Sequence, residues 1–379
     1  SEMCIRDRLM IEEHNQIGRP FQCAGLVNPA SMNTIGLENT ILTSIWGANI
    51  HSPTGTRVTI GDPSVPRTFS VCRKLFDEAV VMQSIATGTE LLLSSKPYSA
   101  IVFDEFVEVK IDGPNGDETI HCKLLCGADG AHSWVRRNFR MGKPRETMIG
   151  FQIEVTGYNG DSGMLDMYTG KNISPGFFSW AIPTGDTTRV GTWTKAELMN
   201  GLSSEQYLDK LLQDQKINSR FRLCSEVARF CGPVPSGIVR KPLIERVALF
   251  GDSAGVCKPT TGGGIGPGFK QVDLLVPKLS KCMENNELSR GTMNSISALL
   301  KEMARNQRKK RALRDAFLTE MSDVELEKIF DVWVRPEVTD LINEFGDIEN
   351  PIPLGIKMLR EVPEFRRLAG RAAKAVLWG

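Results

Sequence analysis

The chain has 379 residues, a formal net charge of +1 and an ordinary apolar share of 41%. That length supports two domains or one elaborate one with an ample core, and the near-neutral balance excludes bulk nucleic-acid binding. No apolar run reaches the ~18 residues of a membrane span, and nine cysteines (4, 23, 72, 122, 126, 224, 231, 257 and 282) without regular spacing give no disulfide or zinc framework, so they read as reduced cytosolic thiols.

The chain opens Ser1-Glu-Met-Cys-Ile-Arg-Asp-Arg8, with no initiator Met and no apolar period. Leu9 to Ile11 reads as the end of a strand, closed by Glu12. In a dinucleotide-binding unit an acid at this place holds the ribose, and the Gly-x-Gly-x-x-Gly turn lies about 20 residues earlier. Only eleven residues precede Glu12. Residues 1–8 are therefore read as a non-native scar on a chain that lacks its first strand and phosphate-binding turn. The plainer reading makes Glu12 a surface acid with nothing missing.

Glu12 to Leu26 reads as strand end, loop and turn. Leu42 to Ile60 alternates loosely around the hairpin signal Ser52-Pro-Thr-Gly55. From Phe69 the chain leads into a helix-compatible stretch reaching Ala86, with Arg73 near its start as a solvated cation or a ligand contact. Thr89 to Ser94, Ala100 to Ile111 and Glu118 to Cys126 read as strands, the last two joined by a turn at Pro114-Asn-Gly-Asp117. They deliver Gly127-Ala-Asp129-Gly130-Ala-His-Ser133-Trp-Val-Arg136.

From Ile149 to Trp193 the pattern is antiparallel in character, with turns at Gly157-Tyr-Asn-Gly160 and Thr184-Gly-Asp186. At its centre stands Ser174-Pro175-Gly-Phe-Phe178-Ser-Trp180-Ala-Ile182-Pro183. Alternation puts Phe178, Trp180 and Ile182 on one face, either as plain sheet core or as the wall of a lipid-sized cavity. Gly232-Pro-Val-Pro-Ser-Gly237 reads as a loop.

Val247 to Phe250 is an apolar run of the kind that makes a buried strand, and it stops at Gly251-Asp252. A carboxylate there can accept hydrogen bonds from a ribose or ribityl hydroxyl. Pro259-Thr-Thr-Gly262-Gly263-Gly264-Ile265 follows. Three glycines expose backbone N–H groups and let a flat ring approach closely. A helix starting near Ile265 would turn its positive end toward an anionic group. From Leu274 the pattern is helical. Lys301 to Arg314 is basic, and Phe365 to Trp378 mixes Arg366, Arg367, Arg371 and Lys374 with apolar residues. Such helices are solvated faces or faces that rest on anionic lipid.

Four motifs in order carry a family resemblance. Gly251-Asp252 through Ile265 closely resembles the second FAD motif of the geranylgeranyl reductase family, flavoproteins that saturate isoprenoid double bonds. Ile17-Gly-Arg-Pro20-Phe-Gln-Cys23-Ala-Gly25 is similar to the family segment that brings a cysteine toward flavin and substrate. Asp129-Gly130 with Ser133 and Arg136 resembles the Asp-Gly motif of FAD-dependent hydroxylases and reductases. Pro175 to Pro183 looks like the family's Pro-x-x-Tyr-x-Trp-x-Phe-Pro signature, with Phe178 for Tyr and Ile182 for Phe; the lost hydroxyl removes any proton-transfer role for that position.

The resemblance implies an α/β fold: a Rossmann-like FAD-binding domain of the hydroxylase type (9–41, 70–142 and 241–285), an inserted antiparallel substrate sheet (42–69 and 143–240) and a C-terminal helical region (286–379). It implies FAD held by Glu12, Arg73, Asp129, Gly130, Asp252, Pro259, Gly262, Gly263, Gly264 and Ile265. Cys23 is then the active-site thiol, and the substrate lies against Pro175, Phe178, Trp180, Ile182 and Pro183, with no metal. The implied reaction saturates C=C bonds of geranylgeranyl chains, on archaeal-type digeranylgeranylglycerophospholipids in membrane lipid biosynthesis, with NADPH and reduced ferredoxin both open as electron donors. The implied location is cytoplasmic, with peripheral contact on the cytoplasmic membrane face. Two other readings remain at this point: a flavin-dependent monooxygenase or halogenase of the same fold, told apart by its need for oxygen, and a non-catalytic lipid-binding remnant without a functional FAD site, told apart by absent flavin absorbance.

Overall fold

In the computed structural model, which describes residues 8–20, 23–346 and 352–368, the apolar run before Gly251 forms the strand Val247–Leu249, buried throughout. It pairs in parallel with Leu125–Gly127 and antiparallel with Leu243–Ile244. A strand covered on both faces has to be apolar at each position. Its side chains share one core with Leu275 and Leu279 of the helix Ile265–Glu284. A second parallel pair joins Arg8–Ile11 to Thr89–Leu92, and no ladder links the two pairs among the described residues.

A seven-stranded sheet stands beside this α/β part. Its order is Ser225–Ser236, Glu146–Thr156, Thr187–Lys195, Ser179–Thr184, Met164–Tyr168, Gly47–His51, Arg57–Gly61. Its pairings are antiparallel except Met164–Tyr168 with Gly47–His51, which run parallel. Two tryptophans each lie across a glycine on the neighbouring strand: Trp180 opposite Gly191, and Trp193 opposite Gly150. A Cβ at either glycine would stand within 2.4 Å of the facing indole.

Three expectations from the sequence are corrected. Gly232 to Ser236 is strand, not loop: Pro233 and Pro235 sit in the edge strand Ser225–Ser236, where a missing N–H toward the outside breaks no ladder. Ala100 to Ile111 is not one strand. It reverses between Lys96–Val102 and Val107–Gly113 through a tip where Phe103 N–H donates to Phe106 O at 2.8 Å and the two rings stack at 4.9 Å. Asp104 is the one turn-forming residue at that tip, with no Gly, Pro or Asn beside it, so the reversal left only a weak signal. Glu118 to Cys126 divides likewise into Gly116–Cys122, which completes the meander, and Leu125–Gly127, which joins the parallel pair.

From Arg290 on, the described residues are mainly helical. Lys301–Arg314 continues into a π-helical turn, Asp315–Glu320, and then into Asp323–Trp333, Pro336–Phe345, Ile352–Glu361 and Pro363–Leu368. A capping box at Ser322 and Glu325 starts Asp323–Trp333. Met321, Ile329, Val332, Val338 and Phe365 give this region a core of its own. The expected helix at Phe365 to Trp378 passes out of the described residues after Leu368, as do Phe21, Gln22 and most of the expected scar. Among the described residues no helix is long and apolar enough to cross a membrane.

Candidate functional site

The strand Val247–Leu249 ends in a tight turn, Gly251–Ala254, closed by Gly255 in the left-handed region. Gln271, from the helix that follows, fixes the strand end. Its Oε1 accepts from Gly251 N–H and its Nε2 donates to Leu249 O, both at 2.9 Å. Asp252 is thereby held with its carboxylate toward the start of the same helix. Oδ1 accepts from the Cys257 thiol at 3.0 Å. Burial pushes the Asp252 carboxyl above its usual range, against the lowering effects of that hydrogen bond and of the Arg73 charge. Burial, then the neighbouring carboxylate, pushes the Cys257 thiol far up, so it remains a donor.

The helix Ile265–Glu284 starts at Gly264 without a side-chain cap and without an acid in its first turn. Its first N–H groups are therefore open to an anionic partner. Just upstream, the Oγ1 atoms of Thr260 and Thr261 are buried without a hydrogen-bond partner. Buried hydroxyls are normally paired, so both suit a polar ligand at this loop.

The three glycines are each met by a side chain. A Cβ on Gly262, which has φ +67°, would stand 1.8 Å from Cη2 and Cζ3 of Trp193. On Gly263 it would stand 2.9 Å from Cε of Lys258, and on Gly264 2.9 Å from Asp252 Oδ1 and 3.2 Å from Cys257 Sγ. Close packing thus requires glycine at 262, where the facing group is a rigid ring and φ is positive, whereas the lysine stem that meets Gly263 could move aside.

Cys23 comes to the same place from the other end of the sequence. Arg73, at the start of the helix Arg73–Ala86, lies beside Cys23 and forks onto Asp77 at 2.9 and 3.0 Å, while Gly25 N–H donates to Cys23 Sγ at 3.3 Å. Burial works against the Arg73 cation, but Cys23 and Asp77 outweigh it and raise its pKa. Arg189 reaches across from the seven-stranded sheet and donates to Ala24 O at 2.9 Å and Val71 O at 3.1 Å. The guanidinium groups of Arg73 and Arg189 thus both stand near the cysteine segment. Next to it, Ala24 and Leu26 pack into an apolar cluster with Ile45, Phe178, Trp180, Ile182 and Trp193. That cluster touches the cysteine segment on one side and, through Trp193, the glycine loop on the other.

The other sequence candidates divide. Asp129 Oδ2 accepts from Val135 N–H at 2.9 Å and so braces the short helix Trp134–Asn138. Its motif is clamped to the Asp252 turn: Arg136 donates to Ser253 O at 2.8 Å, and Ser253 Oγ donates to Gly127 O. Gly130 takes φ +73° in that loop. Glu12 stands at the end of the other parallel pair, where its Oε1 contacts the backbone N–H and Nδ1 of His14 at 2.8 and 2.6 Å. Trp180 and Ile182 are buried, and Trp180 Nε1 donates to Gln152 Oε1 at 3.1 Å. The carbonyls of Pro175 and Pro183 accept from Lys195 N–H and Ser70 Oγ.

Sequence reading missed Trp193, Cys257, Arg189 and Arg314. Arg314, at the end of the basic helix, donates to Pro259 O at 2.7 Å and forks onto Glu146 at 2.8 and 3.0 Å. Asp315 accepts from both Arg314 and Lys195. The only signal was the basic character of Lys301 to Arg314, which reads equally well as a solvated face. No group of His, Cys, Asp and Glu among the described residues could hold a metal ion.

Comparison with known proteins bears on the fold and the family of relatives. The FAD binding domain family model matches residues 104–290. An uncharacterized protein of Methanocaldococcus jannaschii is 28% identical over 364 residues, covering 93% of this chain and 89% of that protein. The digeranylgeranylglycerophospholipid reductase of the same organism is 24% identical over 329 residues, covering 85% and 83%. A geranylgeranyl bacteriochlorophyll reductase-like structure from Thermoplasma acidophilum matches with a TM-score of 0.84 at 20% identity, over 97% of this chain and 93% of that one. The flavin-dependent halogenase CmlS matches with a TM-score of 0.68 at 13% identity, over 94% and 74%. The shared fold is the α/β FAD-dependent hydroxylase type with an antiparallel sheet and C-terminal helices. An uncapped helix start, two orphaned hydroxyls and a half-buried carboxylate fit the flavin end of FAD.

Proposed function

We propose that this chain, an FAD-binding-domain protein related to the digeranylgeranylglycerophospholipid reductases, saturates C=C bonds of geranylgeranyl chains carried on archaeal-type digeranylgeranylglycerophospholipids. One observation carries the reading. Cys23, Arg73, Asp252 and the glycine loop, drawn from distant parts of the sequence, converge beside an apolar cluster that includes Phe178, Trp180 and Ile182. A polar end for a flavin and an apolar flank for a hydrocarbon chain are what this reaction needs side by side.

FAD, when bound, supplies the hydride. With FAD bound, Asp252 would accept from a cofactor hydroxyl, and the N–H groups at the start of Ile265–Glu284 would meet anionic charge on it. Arg73, Asp129, Gly130 and Pro259 would complete the flavin side, and Glu12 would hold the ribose. An isolated trisubstituted alkene is unpolarised, so the carbon that takes no hydride requires a proton. Cys23 Sγ–H is the donor, and its sulfur is held by the N–H of Gly25, which donates to it at 3.3 Å. The apolar chain lies along Phe178 and Trp180, flanked by Pro175, Ile182 and Pro183, and is met from the membrane surface.

Anaerobic turnover of a digeranylgeranyl lipid, with NADPH, reduced ferredoxin and dithionite supplied in turn, tests the reading. Saturated products from the parent are expected. Cys23→Ala should lower alkene reduction by roughly 10²-fold or more, the scale of a lost general acid, while flavin reduction proceeds as before. An oxygen-dependent hydroxylated or halogenated product, or no flavin uptake at all, would overturn the assignment. Full activity of Cys23→Ala would remove the thiol from the chemistry.

A further inference from the structure

The flat ring that lies on the glycine loop is the indole of Trp193. It belongs to the strand Thr187–Lys195 and crosses Gly150 of the adjacent strand, where a Cβ would come 2.3 Å from Nε1. On the loop side, a Cβ at Gly262 would come 1.8 Å from the ring. Trp180 meets it edge-on at 5.0 Å and 71°, and Phe177 at 5.2 Å. Four neighbours thus fix the ring, and two of them are glycines that no other residue could replace without displacing it. Trp193 nevertheless stays partly exposed, while Thr192 and Thr194 beside it are buried.

We propose that Trp193 is a specificity-determining residue: a fixed stop between the glycine loop and the apolar face of Phe178, Trp180 and Ile182, which sets which part of a long apolar chain can reach the loop. This rests on the reductase reading above. The alkenes along a polyprenyl chain are chemically near-identical repeats, so reactivity does not choose among them. Only the depth to which the chain can advance past a rigid group does. An indole pinned by two glycines and two aromatic rings supplies such a group, because it cannot turn aside without opening its own packing.

Three FAD-loaded proteins test this: the parent, Trp193→Phe and Trp193→Ala. An electron-rich indole beside a flavin quenches its fluorescence and a phenyl ring does not, so both variants should brighten the bound flavin severalfold. Only Trp193→Ala should redistribute the partially reduced products and raise the turnover of a chain one isoprene unit longer relative to a geranylgeranyl chain, by about 10-fold, the scale of a changed hydrophobic pocket. Trp193→Phe should keep the parent's product pattern. Unchanged fluorescence in both variants would overturn the placement of the indole. Brighter flavin with an unchanged product pattern in Trp193→Ala would overturn its role as a stop. If Trp193→Ala does not take up FAD, Trp193→Leu carries the product arm. A parent that binds FAD but reduces no polyprenyl lipid overturns the functional reading and the stop with it, and the fluorescence still decides where the indole stands. A parent that takes up no FAD overturns both readings.

Discussion

The thiol of Cys257 donates to Oδ1 of Asp252 across 3.0 Å, within the turn that ends the strand Val247–Leu249. The carboxylate proposed to hold the cofactor therefore has a partner from its own loop even before a ligand arrives. That contact offsets part of the cost of burying it.

Asp252 should be better for binding than for stability. Its folded pKa is raised, with burial the largest cause. A group shifted this way contributes stability that is fully present below its unfolded value, 3.8, and is lost as pH rises through the raised folded value. At neutral pH the ionised group is a net cost to the cofactor-free protein. Asp252→Asn is therefore expected to melt at a higher temperature than the parent at pH 7 without FAD. It should also bind FAD more weakly by roughly 1–3 kcal/mol, the scale of a lost charged hydrogen bond. Paired melts with and without FAD read both effects. A variant that binds FAD as tightly as the parent takes Asp252 out of the site.

Trp180 calls for a mild substitution. It is 5% exposed, and emptying such a position with alanine costs about 3–5 kcal/mol, which would mix folding with function. Trp180→Phe keeps a ring in place and loses the bond from Nε1 to Gln152, worth about 1 kcal/mol. Flavin reduction should be unchanged and turnover of a geranylgeranyl lipid lowered. Equal loss in both rates would make Trp180 a packing residue alone.

What the sequence carried locally was legible. Val247 to Leu249 is apolar at consecutive positions, and Gly251-Asp252 with Pro259 to Ile265 follows at short range, so the strand, the turn and the helix start could all be read. The partners of that motif could not. Trp193 is a further strand aromatic until the fold lays it on Gly262, and Arg314 is one cation among several in a basic helix until Glu146 and Pro259 O meet it. Neither contact has a period or a spacing. The Pro233 and Pro235 strand was misread for a related reason: proline opposes a strand except at an edge, and edge position is a property of the whole sheet.

Arg314 should couple the helical region to the glycine loop, and its removal separates stability from binding. The guanidinium is 1% exposed and engages Glu146, Asp315 and Pro259 O. Arg314→Leu leaves Glu146 to Arg311 and Asp315 to Lys195, and it strips the carbonyl of Pro259 of its donor. Breaking a buried pair on one side costs about 3–5 kcal/mol. Burial alone would raise the carboxyl pKa values of Glu146 and Asp315, but Arg314 and its neighbouring cations more than reverse this and hold both below their usual values. Stability from such groups is present above their unfolded values, 4.5 and 3.8, and is lost as pH falls through the lowered folded ones. The parent should therefore lose melting temperature steeply on acidification below that range, and Arg314→Leu should start lower and fall less. Arg314→Lys separates the two roles. It restores one charge near Glu146, and with it part of the stability and of the acid limb. It cannot hold Glu146 by a fork and Pro259 O at once, so the loop stays unpinned and FAD affinity should remain reduced. Titration of FAD against the three proteins checks this: full affinity in Arg314→Lys would mean that Arg314 packs the helices together and leaves the loop to position itself.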